Sequence, residues 1–418
     1  MKVLGIISEY NPFHLGHLYH LSESKRLVNP DYTIAIMSGN FTQRGEAALV
    51  DKWLRTEIAI RCGIDLVIEL PVIYASQTAE LFAYGGIQLL NHTGLTSYIS
   101  FGSEIGSLEP LDIISDILVK EDDIFKGFLK TNLNKGLSYP SARQAAIEEY
   151  LYQKGEKAEQ VKKLVDVLSG SNSILAIEYL KALKRTNSKI QAVTIRRISA
   201  DYNSLQIQKG ISSASAIRKE IYNSGLSEMV KQALPPASYS LLLSAFENGA
   251  CPSNGKMLDN IILGLVRRAS IDEISTWMGI EGGLENRIKD CGQRASDFSE
   301  LLDLLQTKRY VATRLKRILF HGLINLSEEK FNVLNSGLGP KYIRILGFSK
   351  RAQPLLKALR KSSKLPVITK PAHYNRYGKE VREMFAFDSL ATDIYGLTLE
   401  NKEFRIGGRD FITNPIIL

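Results

Sequence analysis

This sequence predicts an α/β fold: a doubly wound parallel sheet followed by a mainly helical basic domain. Three observations carry that expectation. Five short apolar runs alternate with helical patterns before residue 230, as strands do when crossover helices cover a parallel sheet. Leu234-Pro235-Pro236 then breaks the chain, and mostly amphipathic helices follow, ending in a closing α+β segment. Charge divides at the same place. Residues 1–230 carry 25 Lys+Arg against 25 Asp+Glu, leaving 28 against 19 for residues 231–418, so the whole net charge of +9 lies in the second part. A basic half beside a neutral one has the charge layout of a polyanion-binding platform, or of a merely basic surface.

The first element is the most informative. Val3-Leu4-Gly5-Ile6-Ile7 reads as a buried strand that breaks at Asn11-Pro12, and a helical pattern resumes at Leu18 and Leu21. The turn between them holds His14-Leu15-Gly16-His17. A strand's carboxyl end meeting a helix amino terminus is where open α/β sheets bind ligands and where main-chain N–H groups favour phosphate. Nucleotidyl transfer builds negative charge on the α-phosphate, and imidazole donors at such a point stabilise it without a covalent step. Gly16, lacking a Cβ, lets adenine or ribose lie against the main chain. The same residues also suit an ordinary turn, but chance occurrence of this spacing is only on the order of 0.01 per chain at this composition.

Taken in order, Tyr32–Met37 reads as a second strand entering the loop 38–46, where Gln43 or Arg44 is expected to face a phosphate or an acyl substrate. Residues 51–62 show helical spacing, Ile64–Leu70 a third strand ended by Pro71, residues 77–90 a helix, and Ser97–Phe101 a fourth strand running into Gly102-Ser103-Glu104. Residues 105–170 are helical and charged, with Pro140 near one helix start. Gly170-Ser171-Asn172-Ser173 opens an apolar helix, with Asn172 or Ser173 as its expected cap. Ile190–Ile198 is the fifth strand, and Arg196 and Arg197 at its carboxyl end suit a phosphate clamp. Ile211-Ser212-Ser213-Ala214-Ser215-Ala216-Ile217-Arg218 places hydroxyls and N–H groups at a helix start with Arg218 one turn on, a second phosphate cradle.

The His-x-Gly-His turn after a first strand resembles the nucleotidyltransferase superfamily of class I aminoacyl-tRNA synthetases and small adenylyltransferases. The longer phrase Ser8 to His17, with Met37-Ser38-Gly39-Asn40-Phe41-Thr42-Gln43-Arg44-Gly45-Glu46, resembles the bacterial tRNA(Met) cytidine acetate ligase family, and Ile217-Arg218 aligns with its ISSTxIR motif. Ala214, and Ser199-Ala200-Asp201-Tyr202-Asn203 where a glycine-rich version is expected, depart from that pattern. The resemblance implies a nucleotidyltransferase (HUP-like) ATP-binding catalytic domain in residues 1–230 and a tRNA-binding domain in 231–418. It implies that Ile7, Ser8, Glu9, Tyr10, Asn11, Pro12, Phe13, His14, Leu15, Gly16, His17, Leu18, Tyr19 and His20 line an ATP site, with His14 and His17 catalytic. Gly102, Asn172, Arg197, Ser212, Ser213 and Arg218 are implied to contact the nucleotide. The implied activity is an ATP-dependent ligase that makes acetyl-adenylate from acetate and acetylates N4 of the wobble cytidine of elongator tRNA(Met). A small-molecule adenylyltransferase and a non-catalytic RNA-binding protein are the competing readings. Mg²⁺ is expected because pyrophosphate leaves, although no carboxylate cluster marks a site.

In the basic half, Lys308, Arg309, Arg314 and Arg317 form the expected tRNA-binding group, with Arg314 and Arg317 at i,i+3 on one face, unless that face is simply solvated. His321 and His373 lack partners at metal-ligand spacing and read as structural, and Tyr374, Tyr377 and Tyr395 as core rather than base-stacking residues. Cys62, Cys251 and Cys291 are odd in number and lack CxxC spacing, which indicates neither a disulfide framework nor zinc. No apolar run reaches membrane-span length and Met1-Lys2 leads straight into a strand, so a cytoplasmic protein is expected. None of these patterns speaks to oligomeric state.

Overall fold

The computed structural model describes residues 1–198, 212–337 and 339–418; Ile211 and the stretch 199–203 discussed above lie outside the described residues. All five expected strands are present: β1 (Val3–Ser8), β2 (Tyr32–Ser38), β3 (Leu66–Leu70), β4 (Thr96–Ser103) and β5 (Gln191–Arg196). They run parallel in the order β5-β4-β1-β2-β3. The chain steps outward from β1 to β3 and returns to the other side of β1 for β4 and β5, so the sheet reverses direction beside β1. A crevice at the strands' carboxyl ends is the consequence. Helices on both faces explain why β1 and β2 are continuously apolar: Val3, Leu4, Ile34, Ala35, Ile36 and Met37 are all buried. At Gly5 the approach is so close that a Cβ would stand 2.7 Å from Leu90 of the helix Ala79–Thr93.

The second half begins as expected, with a break at Leu234-Pro235 between the helices Glu228–Ala233 and Pro236–Glu247, then the helices Lys256–Arg268, Ile271–Ser275, Phe298–Leu305 and Ala312–Leu323. Its closing segment does not stand apart. β6 (Ile343–Phe348) pairs antiparallel with β3, and β7 (Val367–Ile368) and β8 (Ile416–Ile417) pair parallel with β6, giving one sheet of eight strands among the described residues. The added strand covers main-chain groups that β3 would otherwise leave open at an edge. Tyr395 and Phe385 are buried in this segment, and the half-buried Tyr374 stacks on Phe385 with centroids 5.7 Å apart.

A buried ionic cluster joins the closing segment to the sheet. Lys52 Nζ lies 2.7 Å from Glu69 Oε1 and 2.8 Å from Asp410 Oδ1; Arg344 reaches Glu69 Oε2 and Asp410 Oδ1, each at 2.7 Å. None of these four side chains is more than 2% exposed, so each charge depends on the others for compensation. Among the described residues no helix is long and apolar enough to cross a membrane.

Candidate active site

The turn after β1 sits at the crevice and is tied down from several directions. Tyr10 adopts a left-handed conformation (φ 49°), the Asn11–Pro12 peptide is cis, and Tyr10, Asn11, Pro12, Phe13 and His14 are all buried. Leu49 N donates to Asn11 Oδ1 (2.7 Å), Arg218 Nη1 to Asn11 O (2.7 Å), and Ser238 Oγ to Phe13 O (2.8 Å). From below, the fully buried Arg55 donates to the carbonyls of Glu9 (2.7 Å), Ser38 (3.0 Å), Gly39 and Val50 (3.0 Å), gathering the ends of β1 and β2 around one guanidinium.

The helix Leu15–Val28 starts three residues before its apolar pattern does, because His14 is its N-cap. Gly16 N donates to His14 Nδ1 (2.9 Å), and His14 N donates to His17 Nδ1 (3.3 Å), a capping box built from two imidazoles. Each Nδ1 receives a main-chain N–H and is therefore unprotonated, which leaves the proton on Nε2 in both neutral rings. The rings lie 3.9 Å apart at 33°, and Tyr10 and Phe13 enclose His17 at 5.1 and 5.6 Å. Burial, then the charges of Arg197 and Arg218, push His14 down to about 3. Burial, then His14 and Arg197, hold His17 well below its ordinary value. His20, one turn on, contacts Ser100 Oγ through Nε2 (3.1 Å) and is pushed down to about 4 by burial and Arg197. The site thus presents two uncharged imidazoles, each with its Nδ1 facing a main-chain N–H, and His17 also meets the Pro12 carbonyl, which opposes the lowering only in part.

Positive charge comes from the flanks. Arg197 follows β5; its side-chain stem passes Gly102, where a Cβ would lie 3.1 Å from Arg197 Cγ, so the glycine makes room for the arginine. Arg197 Nη1 donates to Asn172 Oδ1 (2.8 Å). Arg218 lies on the helix Ala214–Ser224, which Ser213 caps by accepting from Ala216 N (3.1 Å), with the buried Ser212 just before it. Among the described residues neither Arg197 nor Arg218 has a carboxylate within 4 Å. Ile7 and Ser8 end β1, and Leu15, Gly16, Leu18, Tyr19 and His20 form the helix's first turns, so the residues expected at the nucleotide site gather at one crevice.

One expectation needs correction. Neither Asn172 nor Ser173 caps the helix Ser171–Arg185; its N-cap is Gly170 and no side chain of its own closes it. Instead Glu104, from the end of β4, accepts hydrogen bonds from Asn172 and Ser173. A distant carboxylate completes the cap because the sheet brings β4 to the helix start. Glu104, Arg55 and Ser238 were not legible as site residues; each acts across a long sequence separation and none belongs to a local pattern.

The loop 38–46 bridges this site to the basic half. Gln43 N donates to Glu9 Oε1 (2.8 Å), while Arg44 is exposed. On its other side Phe41 packs on Phe320 (centroids 4.3 Å) and Lys316 pairs with Glu46 (2.7 Å). At Gly45 (φ 71°) a Cβ would come within 3.1 Å of Arg317 Cα. The helix Ala312–Leu323 therefore rests on the rim of the crevice. Of the four expected basic residues, Arg314 (2.8 Å) and Arg309 (3.5 Å) pair with Glu281, and Lys308 is exposed. Arg317 has no carboxylate within 4 Å among the described residues, and burial with the like charge of Arg314 lowers its pKa. Among the described residues no group of three or more His, Cys, Asp or Glu side chains is placed to hold a metal ion.

Comparison with known proteins agrees with this fold. The family model for HIGH nucleotidyl transferases matches residues 1–410. The chain is 42% identical over 422 residues to the tRNA(Met) cytidine acetate ligase of Halothermothrix orenii, covering 100% of this chain and 99% of that protein, and 41% identical to that of Acetivibrio thermocellus, covering 100% of both. The crystal structure of Thermotoga maritima TmcAL bound with α-thio ATP superposes with a TM-score of 0.93 at 37% identity, covering 100% of both chains. The match extends from the His-x-Gly-His turn through the basic half and its closing strands, so the chain belongs to the HIGH nucleotidyl transferase family and, within it, to the tRNA(Met) cytidine acetate ligases.

Proposed function

We propose that this protein is a cytoplasmic ATP-dependent ligase that acetylates N4 of the wobble cytidine of elongator tRNA(Met), forming N4-acetylcytidine. The pair of tautomer-locked imidazoles carries the reading. Acetate attacks the α-phosphorus of ATP and pyrophosphate leaves; the cytidine N4 then attacks the acetyl carbonyl, AMP departs and N4 loses a proton. His14 and His17 donate through Nε2–H to the α-phosphate as its charge grows, and being uncharged they leave the triphosphate's negative charge to Arg197 and Arg218. Gly16 and Gly102 admit the nucleoside, Asn172 holds Arg197, and Ser212 and Ser213 present the second helix start to phosphate. Among the described residues no carboxylate cluster is placed to cage Mg²⁺, so the ion would enter with the nucleotide and would supply charge neutralisation for the leaving pyrophosphate.

Residues 1–230 supply most of the ATP-binding catalytic part, the helices between Lys256 and Leu334 the tRNA-binding part, and β6 to β8 complete the catalytic sheet. Arg317, on the helix that rests on the loop 38–46, grips a backbone phosphate, and Arg314 exchanges its Glu281 partner for a second one, while an unstacked anticodon base enters the crevice. Nucleoside mass analysis of tRNA incubated with the protein, ATP and isotope-labelled acetate tests the activity: labelled N4-acetylcytidine is expected, and its absence overturns the reading. Replacing Arg314 and Arg317 together by alanine is expected to weaken tRNA binding and to reduce its log–log salt slope by about 2, roughly one unit per phosphate contact, while acetate-dependent ATP–pyrophosphate exchange stays near the parent rate. Titrations at several salt concentrations check this.

A further inference from the structure

Glu104 makes four hydrogen bonds to the start of one helix. Its Oε1 accepts from Asn172 N (3.1 Å) and Asn172 Nδ2 (2.8 Å), and its Oε2 from Ser173 N (2.8 Å) and Ser173 Oγ (2.6 Å). The approach is tight: a Cβ on Gly170 would lie 2.5 Å from Glu104 Oε2. A cap of this kind needs only the two main-chain N–H groups, yet the carboxylate also takes the Asn172 side chain. That bond has a directional consequence. An ionised carboxylate only accepts, so it holds the Asn172 NH₂ group and turns the carbonyl Oδ1 the other way, toward Arg197 Nη1 at 2.8 Å. Burial opposes ionisation of Glu104, but the bonds from Ser173 and Asn172 outweigh it and hold the carboxyl below its ordinary value.

We propose that Glu104 is a positioning residue for the nucleotide site, acting through Asn172 to aim the Arg197 guanidinium without neutralising it. Direct contact between Glu104 and Arg197 would cancel the charge that the phosphates are to meet. The neutral carboxamide between them passes on orientation and, among the described residues, leaves the guanidinium without a carboxylate partner, so that its remaining N–H groups serve phosphate. This inference rests on the assignment of Asn172 and Arg197 to ATP.

The test is ATP–pyrophosphate exchange with the full-length protein, comparing Glu104→Gln, Asn172→Ala and Arg197→Ala. A glutamine at 104 can offer its own NH₂ to Asn172 and let that carboxamide reverse, pointing NH₂ at the guanidinium. Glu104→Gln is expected to raise KM for ATP about tenfold, in the range for a lost hydrogen bond to a charged group, with kcat changed less than about threefold. Glu104→Asp, which keeps the accepting carboxylate, is expected to recover part of that loss. If Asn172→Ala and Arg197→Ala raise KM while Glu104→Gln leaves it at the parent value, or only lowers Tm, the relay is wrong and the nucleotide assignment stands. Should neither Asn172→Ala nor Arg197→Ala alter KM, the nucleotide assignment itself is overturned, and the relay with it.

Discussion

Replacing His17 by alanine is expected to slow acetate-dependent ATP–pyrophosphate exchange by roughly 100- to 1000-fold, the range for removing one preorganised donor to a developing oxyanion. The size follows from how little reorganisation the site needs. Gly16 N and His14 N already orient both rings through their Nδ1 atoms, so little side-chain ordering remains when substrate arrives. A capping role alone predicts a different outcome, a stability loss of about 1 kcal/mol with the rate per folded molecule unchanged. His14→Asn separates the two, because asparagine caps a helix as well as any residue but cannot place a donor where the imidazole Nε2 stands. It is expected to keep Tm within a few degrees and lose most of the exchange rate. Exchange within about threefold of the parent for both variants would falsify the α-phosphate assignment.

The same burial predicts a pH dependence. His14 at about 3, His20 at about 4 and His321 at about 4 all lie below the ordinary 6.5, so the unfolded chain takes up protons first as pH falls. Stability from keeping these rings neutral is present above about 6.5 and is lost as pH drops through that value toward the folded-state values. Tm measured from pH 8 to pH 5 is expected to fall on the acid side, while the histidine contribution to exchange, resting on neutral rings, stays level above pH 5. A rate that drops through pH 6.5 in step with an ordinary histidine would contradict the buried, neutral pair.

Asp410→Ala is expected to destabilise the protein by about 3–5 kcal/mol, the range for removing one partner of a buried ion pair. Asp410 accepts from Lys52 Nζ (2.8 Å), Arg344 Nη2 (2.7 Å) and Thr392 Oγ1 (2.9 Å). Removing it leaves two cations sharing Glu69 in a place water does not reach. Because Lys52 heads the helix after the loop 38–46 and Glu69 lies on β3, the damage is expected to spread from the closing segment to the crevice rim. Urea denaturation followed by tryptophan fluorescence checks this, since Trp53 adjoins Lys52. A midpoint unchanged from the parent would show the cluster to be dispensable.

The sequence by itself determined the five parallel strands, the break at Leu234-Pro235, and the gathering of His14, Gly16 and His17 at a strand-to-helix turn. Apolar runs, turn residues and motif spacing are local properties, set by the pleat and by helical period, and they survive without knowledge of the rest of the chain. Tertiary structure alone decided that β6 to β8 return to cover β3, that Glu104 rather than Asn172 or Ser173 closes a helix 68 residues away, and that Arg309 and Arg314 pair with Glu281 while Arg317 does not. It also decided the ionic cluster of Lys52, Glu69, Arg344 and Asp410, whose members look like solvated charges when read in order. Such partnerships depend on which distant segments the sheet brings together, and on the cost of burying a charge alone, and neither is written in any stretch of neighbouring residues.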